Sequence, residues 1–464
     1  MTSISNGGAS IQPDRLHADS IQTVGVIGAG GLGTGIAQVC ALAGLKTVLV
    51  DSDPAAGERA RETIQGALHR AVERGRLSAG DRDRARASLE LGTLSDLAGV
   101  NLAIEAVDED FEAKTALFRE LARIAPEARL ATNTASLSIT ELGRAAGRPD
   151  LAGVRFFNPV ARVPLLEVIC PDAAWGALEG FATRLGKVAI RAGDSPGFIV
   201  NRCAQPFYLE AGRMLEAGLA DAPTLDGCLS TALGAPMGPF ELIDLMGTDV
   251  HAAASQRVYQ AMDRPARLTP ARRVAWLAEQ GKLGRRSGEG FYSYPRAEPA
   301  KPEAVNDVGP FMELLAHVCP VATSDGRTAA ERAGPSGLAL LDVAPAPFME
   351  RPTLAYAAAG LDAQTKRDLH KTAGHEGVEL VEVPDTPGLI ALRTASQIVN
   401  EARFAEREGV ASFDDIDRAL QLGLNWAVGP KRITQWFGAS IARTLHALEA
   451  QDGRGVYSPA PGVA

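Results

Sequence analysis

Val24-Gly25-Val26-Ile27-Gly28-Ala29-Gly30-Gly31-Leu32-Gly33 decides how the N-terminal part of this 464-residue chain folds. The apolar, β-branched run Thr23–Ile27 predicts a buried strand. Gly28, Gly30 and Gly33 then follow the spacing G-x-G-x-x-G, and residues 33–43 read as a helix. Gly28 permits a tight turn, Gly30 lets backbone approach a pyrophosphate, and Gly33 lets helix and strand pack closely. The helix N-terminus attracts the phosphates. A second β-branched run, Lys46–Val50, ends at Asp51, whose carboxylate is placed to accept hydrogen bonds from ribose hydroxyls. A 2′-phosphate would meet that negative charge, and Ser52 and Asp53 bring no Arg beside it, so the expected cofactor is NAD rather than NADP. Runs at 100–106 and 130–132 predict further strands. Strands alternating with helices over 21–191 imply a Rossmann-like α/β domain, a parallel sheet covered on both faces.

Outside this domain the pattern changes. Residues 1–20 are polar, without the apolar centre of a secretory signal, and read as a flexible tail. Residues 192–294 read as an all-α domain closing at GRRSGEGFYSY, and the Pro- and Ala-rich stretch 295–309 as a linker. A small α/β segment at 310–383 follows, with strands expected at 337–343 and 378–383. Residues 384–464 repeat the first helical domain at an offset of 191. Asp385-Thr386-Pro387-Gly388 echoes Asp194-Ser195-Pro196-Gly197, and Glu401-Ala402 echoes Glu210-Ala211. Gly409 corresponds to Gly218, Asp417 to Asp226, and Gly429-Pro430 to Gly238-Pro239. Two such units can bury a helical face against each other. Asn201 of the first copy corresponds to Leu392, which puts the expected chemistry in the first copy.

The net charge of −9 argues against a general nucleic-acid binder. No apolar run approaches the roughly 18–20 residues that span a bilayer, so no membrane partner is expected. Cys40, Cys170, Cys203, Cys228 and Cys319 are scattered and form no CxxC pair. Neither disulfides nor a metal site is expected, and reduced thiols point to the cytoplasm.

Seven segments together carry a family resemblance: VGVIGAGGLGTGIAQ, IEAVDEDFEAKTALF, ATNTASLSIT, RFFNPVARVPLLEVI, DSPGFIVNR, GAPMGPFELIDLMG and GRRSGEGFYSY. From about residue 21 to 448 the chain resembles the 3-hydroxyacyl-CoA dehydrogenase family, in its bacterial form with two C-terminal helical domains. The resemblance implies oxidation of a 3-hydroxyacyl thioester to the 3-oxo compound with hydride passed to NAD, in a cleft between the first two domains. It points to Glu109, Lys114, Asn158 and Arg286 as further cofactor contacts and to Asn201 as a substrate-side residue. The alternative for Asn201 is a helix-start residue capping its own backbone. Pro236, Met237 and Gly238 fall where the acyl arm would lie. Arg74 falls near a basic coenzyme A contact and reads equally well as a solvated helix charge. The second helical copy is expected to pack on the first and mimic a dimer contact, which leaves monomer or homodimer open.

The chain departs from the family at its catalytic pair. The family motifs read NTSS and HFFNP, with a Ser for the reacting oxygen and a His, oriented by a Glu, as general base. Here they read Asn133-Thr134-Ala135-Ser136 and Arg155-Phe156-Phe157-Asn158-Pro159, while Glu167 remains twelve positions after Arg155. A guanidinium stays protonated and offers donors only, so Arg155 cannot be the base. Arg155 and Glu167 are expected to form a bidentate charge pair. Three readings follow: redox chemistry on an altered substrate gripped by Arg155, slowed family chemistry with another base such as His251, or an NAD-binding protein without hydride transfer.

Overall fold

The computed structural model describes residues 21–296, 309–342 and 352–463. The expected tail, residues 297–308 of the expected linker, and position 343 of an expected strand lie outside the described residues. Contacts divide the chain after Arg191 into two units.

The first unit is an eight-stranded sheet of β1 (Thr23–Ile27), β2 (Lys46–Val50), β3 (Leu89–Gly92), β4 (Leu102–Glu105), β5 (Arg129–Thr132), β6 (Ala152–Phe156), β7 (Leu165–Ile169) and β8 (Val188–Arg191). Their spatial order is β3-β2-β1-β4-β5-β6-β7-β8. The Rossmann-like expectation holds, and the order reverses between β1 and β4, where Val24 pairs with Leu102 and Ile27 with Glu105. Such a switch point opens a crevice at the carboxyl ends of the strands. The expectation of an all-parallel sheet fails at one place: β6 and β7 are antiparallel, with Arg155 directly opposite Glu167. Residues 157–164 are too few for the crossover that a parallel neighbour requires. Val24, Val26, Ile36, Leu102, Ile104, Val154 and Leu166 are fully shielded, so the sheet centre and its covering helices share one core. Burying each such side chain contributes about 1.5–3 kcal/mol.

The second unit holds two helical copies and a four-stranded sheet. That sheet comprises β9 (Val321–Thr323), β10 (Leu338–Leu341), β11 (Thr353–Ala359) and β12 (Glu379–Glu382), ordered β12-β11-β10-β9. β10 and β11 are antiparallel and the outer pairs parallel. Phe311, Leu315, Leu354, Tyr356 and Leu369 give it a core of its own. Asp342, at the end of β10, accepts hydrogen bonds from the backbone N–H groups of Ile390 at 2.7 Å, Ala391, and Leu392 at 3.2 Å. The carboxylate thereby caps the helix Ala391–Arg407 and ties the small sheet to the second helical copy.

The repeat is visible as reciprocal contacts. Helix Gln205–Glu216 packs on helix Ala391–Arg407. Arg202 Nε donates to Glu401 Oε1 at 2.7 Å, and Arg393 Nε donates to Glu210 Oε2 at 2.9 Å. Each pair is the image of the other at the 191-residue offset, the pattern of an isologous interface built within one chain.

Candidate functional site

The carboxyl edge of the first sheet gathers most of the expected residues of that unit. Gly28 has φ +106°, and a Cβ there would lie 2.6 Å from the Ala106 carbonyl oxygen, so only glycine fits between β2 and β4. Gly28 N–H donates to the Val50 carbonyl at 2.8 Å, and Ala29 N–H to Asp51 Oδ2 at 2.6 Å, which fixes the carboxylate at the turn. A Cβ on Gly30 or Gly31 would meet no atom within 4 Å, so the backbone there is open to a ligand. The helix that follows, Gly31–Leu42, has no acidic residue in its first turn, which leaves its N–H groups and positive end for a phosphate. These features fit a dinucleotide. When bound, its nicotinamide supplies the hydride acceptor or donor.

Gly33 offers a direct check. A Cβ on it would sit 1.8 Å from the Gly28 carbonyl oxygen. Gly33→Ala is expected to push helix from strand, cost about 1–3 kcal/mol as an overpacking change, and abolish the rise in melting temperature that NAD gives the unaltered chain. Thermal melting with and without NAD reads both effects. A Gly33→Ala chain stabilised normally by NAD overturns the assignment of this turn as the cradle.

Next along the edge lies a cluster of carboxylates and hydroxyls. Glu105, at the end of β4 and fully buried, accepts from Lys114 Nζ at 2.5 Å, from Val107 N–H at 2.7 Å and from Thr132 Oγ1 at 2.7 Å. Lys114 is itself buried, donates to the Val107 carbonyl at 3.2 Å and lies 3.6 Å from Glu109. Glu109 Oε1 accepts four hydrogen bonds: from Thr134 Oγ1 at 2.7 Å, Ala135 N–H at 2.9 Å, Ser136 N–H at 2.9 Å and Ser136 Oγ at 2.8 Å. Burial raises the Glu109 pKa. The Thr134 hydrogen bond, the Lys114 charge and the Ser136 and Ala135 hydrogen bonds outweigh it and hold the carboxyl below the usual value.

Arg155 and Glu167 face each other across the β6–β7 ladder, both buried. The expected bidentate hydrogen-bonded pair is absent: the Nη1 to Oε2 distance is 3.9 Å. The guanidinium lies instead over the Phe157 ring, 4.7 Å from its centroid. Arg155 Nη1 has no hydrogen-bond partner among the described residues. Burial lowers the guanidinium pKa, and the charges of Glu167 and Glu109 oppose that shift. Asn158 is exposed in the loop after β6. Lys187 Nζ holds that loop, donating to the carbonyls of Val160 at 2.6 Å and Val163 at 2.7 Å.

Arg74 is exposed at the C-terminal cap of helix Pro54–Glu73. In the second unit, Asn201 lies within the short helix Val200–Cys203, whose cap position is Ile199, so the capping alternative for Asn201 is not realised. Pro236 is exposed and Met237 half-buried. A Cβ on Gly238 would lie 2.3 Å from the Asp226 Cβ, and one on Gly429 2.3 Å from Asp417 Oδ1, so this repeated glycine lets each Asp approach the helix that follows. Arg286 pairs with Asp249 at 2.6 Å on the surface. His251 is buried against the Tyr208 ring at 4.6 Å between centroids, and burial pushes its pKa down to about 4. It is a neutral core imidazole at neutral pH. Sequence reasoning missed Glu105, Thr134 and Lys187. A carboxylate inside the apolar run 100–106 was a usable signal for Glu105, whereas Lys187 gave none.

The family models for the 3-hydroxyacyl-CoA dehydrogenase NAD-binding domain and C-terminal domain match residues 23–195 and residues 197–294 with 388–462. The two C-terminal matches begin at the same offset as the internal repeat. The chain is 35% identical over 457 residues to 3-hydroxyadipyl-CoA dehydrogenase of Escherichia coli, covering 95% of this chain and 96% of that protein. It is 39% identical over 286 residues to 3-hydroxybutyryl-CoA dehydrogenase of Mycobacterium tuberculosis, covering 60% of this chain and all of that protein. The crystal structure of 3-hydroxybutyryl-CoA dehydrogenase from Escherichia coli superposes with a TM-score of 0.85 at 33% identity, covering 96% and 97% of the two chains. An NAD-binding sheet followed by a twice-matched C-terminal domain therefore places this chain in the 3-hydroxyacyl-CoA dehydrogenase family, as an NAD-dependent oxidoreductase.

Proposed function

We propose that the chain moves hydride between NAD and the hydroxyl- or oxo-bearing carbon of a 3-hydroxy or 3-oxo acyl thioester, or a related carbonyl compound, with Arg155 as a fixed cationic donor in place of a base. The observation that carries this reading is the buried Arg155 Nη1, without a hydrogen-bond partner among the described residues, on the same sheet as the open dinucleotide turn and three strands from it. A preorganised charge of this kind favours an oxyanion as it develops on the reacting oxygen. Arg74, Asn201, Pro236, Met237 and Gly238 are assigned to the thioester arm, and Asn158 and Arg286 to the cofactor. All five cysteines are free. The reading is of a cytoplasmic enzyme acting as monomer or homodimer.

The test is a panel of 3-hydroxy and 3-oxo acyl thioesters, keto acids and imines, followed by nicotinamide absorbance, with NAD binding measured separately by calorimetry. Turnover of at least one compound is expected, about 10²- to 10⁴-fold slower than with an imidazole base. NAD binding without turnover of any of them overturns the reading.

A further inference from the structure

The site leaves open where the hydroxyl proton goes. Among the residues at this edge, Arg155 offers donors only, Lys114 is enclosed by Glu105, Val107 and Glu109, and Glu167 is fully buried. Ala135 has no hydroxyl. Of the two hydroxyls in Asn133–Ser136, Thr134 is buried and Ser136 half-buried, so Ser136 is the one within reach of a ligand.

We propose that Ser136 and Glu109 form the proton path of this chain: Ser136 Oγ takes the substrate hydroxyl proton while passing its own, across the 2.8 Å hydrogen bond, to Glu109 Oε1. The inference rests on the hydride-transfer reading above and assigns its missing acceptor. In the step, the C–H bond at the hydroxyl carbon breaks and its hydrogen leaves with the electron pair to the oxidised nicotinamide. The O–H proton moves to Ser136, the Ser136 proton moves to Glu109, and Glu109 returns it to water. The products are the oxo compound, reduced nicotinamide and one proton.

The geometry prepares both ends. Glu109 Oε1 is held by the Ala135 and Ser136 amides and the Thr134 hydroxyl, so the acceptor stays aimed at Ser136 when that hydroxyl turns. The charged groups acting on Glu109 are Lys114 at 3.6 Å, itself balanced by Glu105, and Arg155. The Thr134 hydrogen bond, the Lys114 charge and the Ser136 and Ala135 hydrogen bonds keep the carboxylate ionised. A carboxylate so well provided with donors is a weak base, and the Arg155 charge compensates by favouring the alkoxide. A path of this kind has no group that titrates near neutral pH.

Glu109→Gln and Ser136→Ala are each expected to lower kcat by about 10²-fold or more. KM for the acyl substrate should be nearly unchanged, kcat is read at saturating NAD so that any loss of cofactor affinity in Glu109→Gln is kept apart, and Ser136→Thr, which keeps a hydroxyl, should retain activity. The kcat profile of the unaltered chain should lack the inflection near pH 6.5 that an imidazole gives, to within about one unit. A structural role is separated from a proton role by repeating Glu109→Gln in an Arg155→His, Ala135→Ser background. There the imidazole takes the proton, and the loss should shrink to a few-fold. An unchanged kcat in Glu109→Gln, or an equal loss in both backgrounds, overturns the proton path alone. An unaltered chain that binds NAD and turns over nothing overturns the hydride-transfer reading and the path with it.

Discussion

Changing Arg155 to His and Ala135 to Ser in one chain is expected to raise kcat for oxidation of 3-hydroxybutyryl-CoA by about 10²- to 10⁴-fold, the contribution of a positioned general base. The scaffold for that base is still present. Residue 155 stands directly opposite Glu167 on the antiparallel β6–β7 pair, and the Glu167 side chain is fully buried. A side chain at 155 therefore shares a face with a carboxylate able to orient an imidazole and support its protonated form. Phe156 N–H donates to Asn133 Oδ1 at 2.7 Å, which ties the strand carrying residue 155 to the loop carrying residue 135. The substitutions thus act on two positions already held in register. Histidine is smaller than the arginine it replaces, so a stability loss of about 1–3 kcal/mol accompanies the gain. The double variant should also acquire a kcat inflection near pH 6.5, to within about a unit. A double variant that melts cooperatively, binds NAD and shows neither the gain nor the inflection would mean that more than these two side chains separates the chain from its relatives.

The dinucleotide half of this site was readable because each of its signals is local. A β-branched run, three glycines at fixed spacing and a carboxylate after the next strand lie within about thirty residues, and each has one physical meaning at a strand-to-helix turn. β6 and β7 were harder. Arg155 and Glu167 interrupt their apolar runs, and the two charges compensate each other only across a ladder that the sequence does not display. β11 escaped because four of its seven residues are alanine, which carries little strand preference. The Glu109 contacts were out of reach for another reason. Its partners lie 25 to 27 positions away, and they meet only because β4 and β5 are neighbours whose carboxyl ends lie side by side. The bidentate form assigned to Arg155 and Glu167 failed because propensity for a contact does not include competitors, here the Phe157 ring.

Removing the Glu401 carboxylate should destabilise the second unit strongly, with Glu401→Ala costing about 3–5 kcal/mol in urea unfolding. Glu401 is buried and accepts from Arg202 Nε at 2.7 Å and Arg267 Nε at 2.6 Å. Arg202 has no exposure to solvent, so its charge is left with Glu408 at 2.7 Å when Glu401 is gone. A buried charge stripped of its main partner costs far more than the pair contributes, because desolvation is no longer offset. Replacing both Arg202 and Glu401 with Met should therefore cost less than Glu401→Ala alone. Glu210→Ala should reproduce the effect by symmetry, since Arg393 donates to Glu210 as Arg202 does to Glu401. Both halves of this reciprocal contact lie on one chain. Its formation is therefore unimolecular, unlike that of an interface between separate chains. A Glu401→Ala chain as stable as its parent would show that the two helical copies are not held together by these pairs.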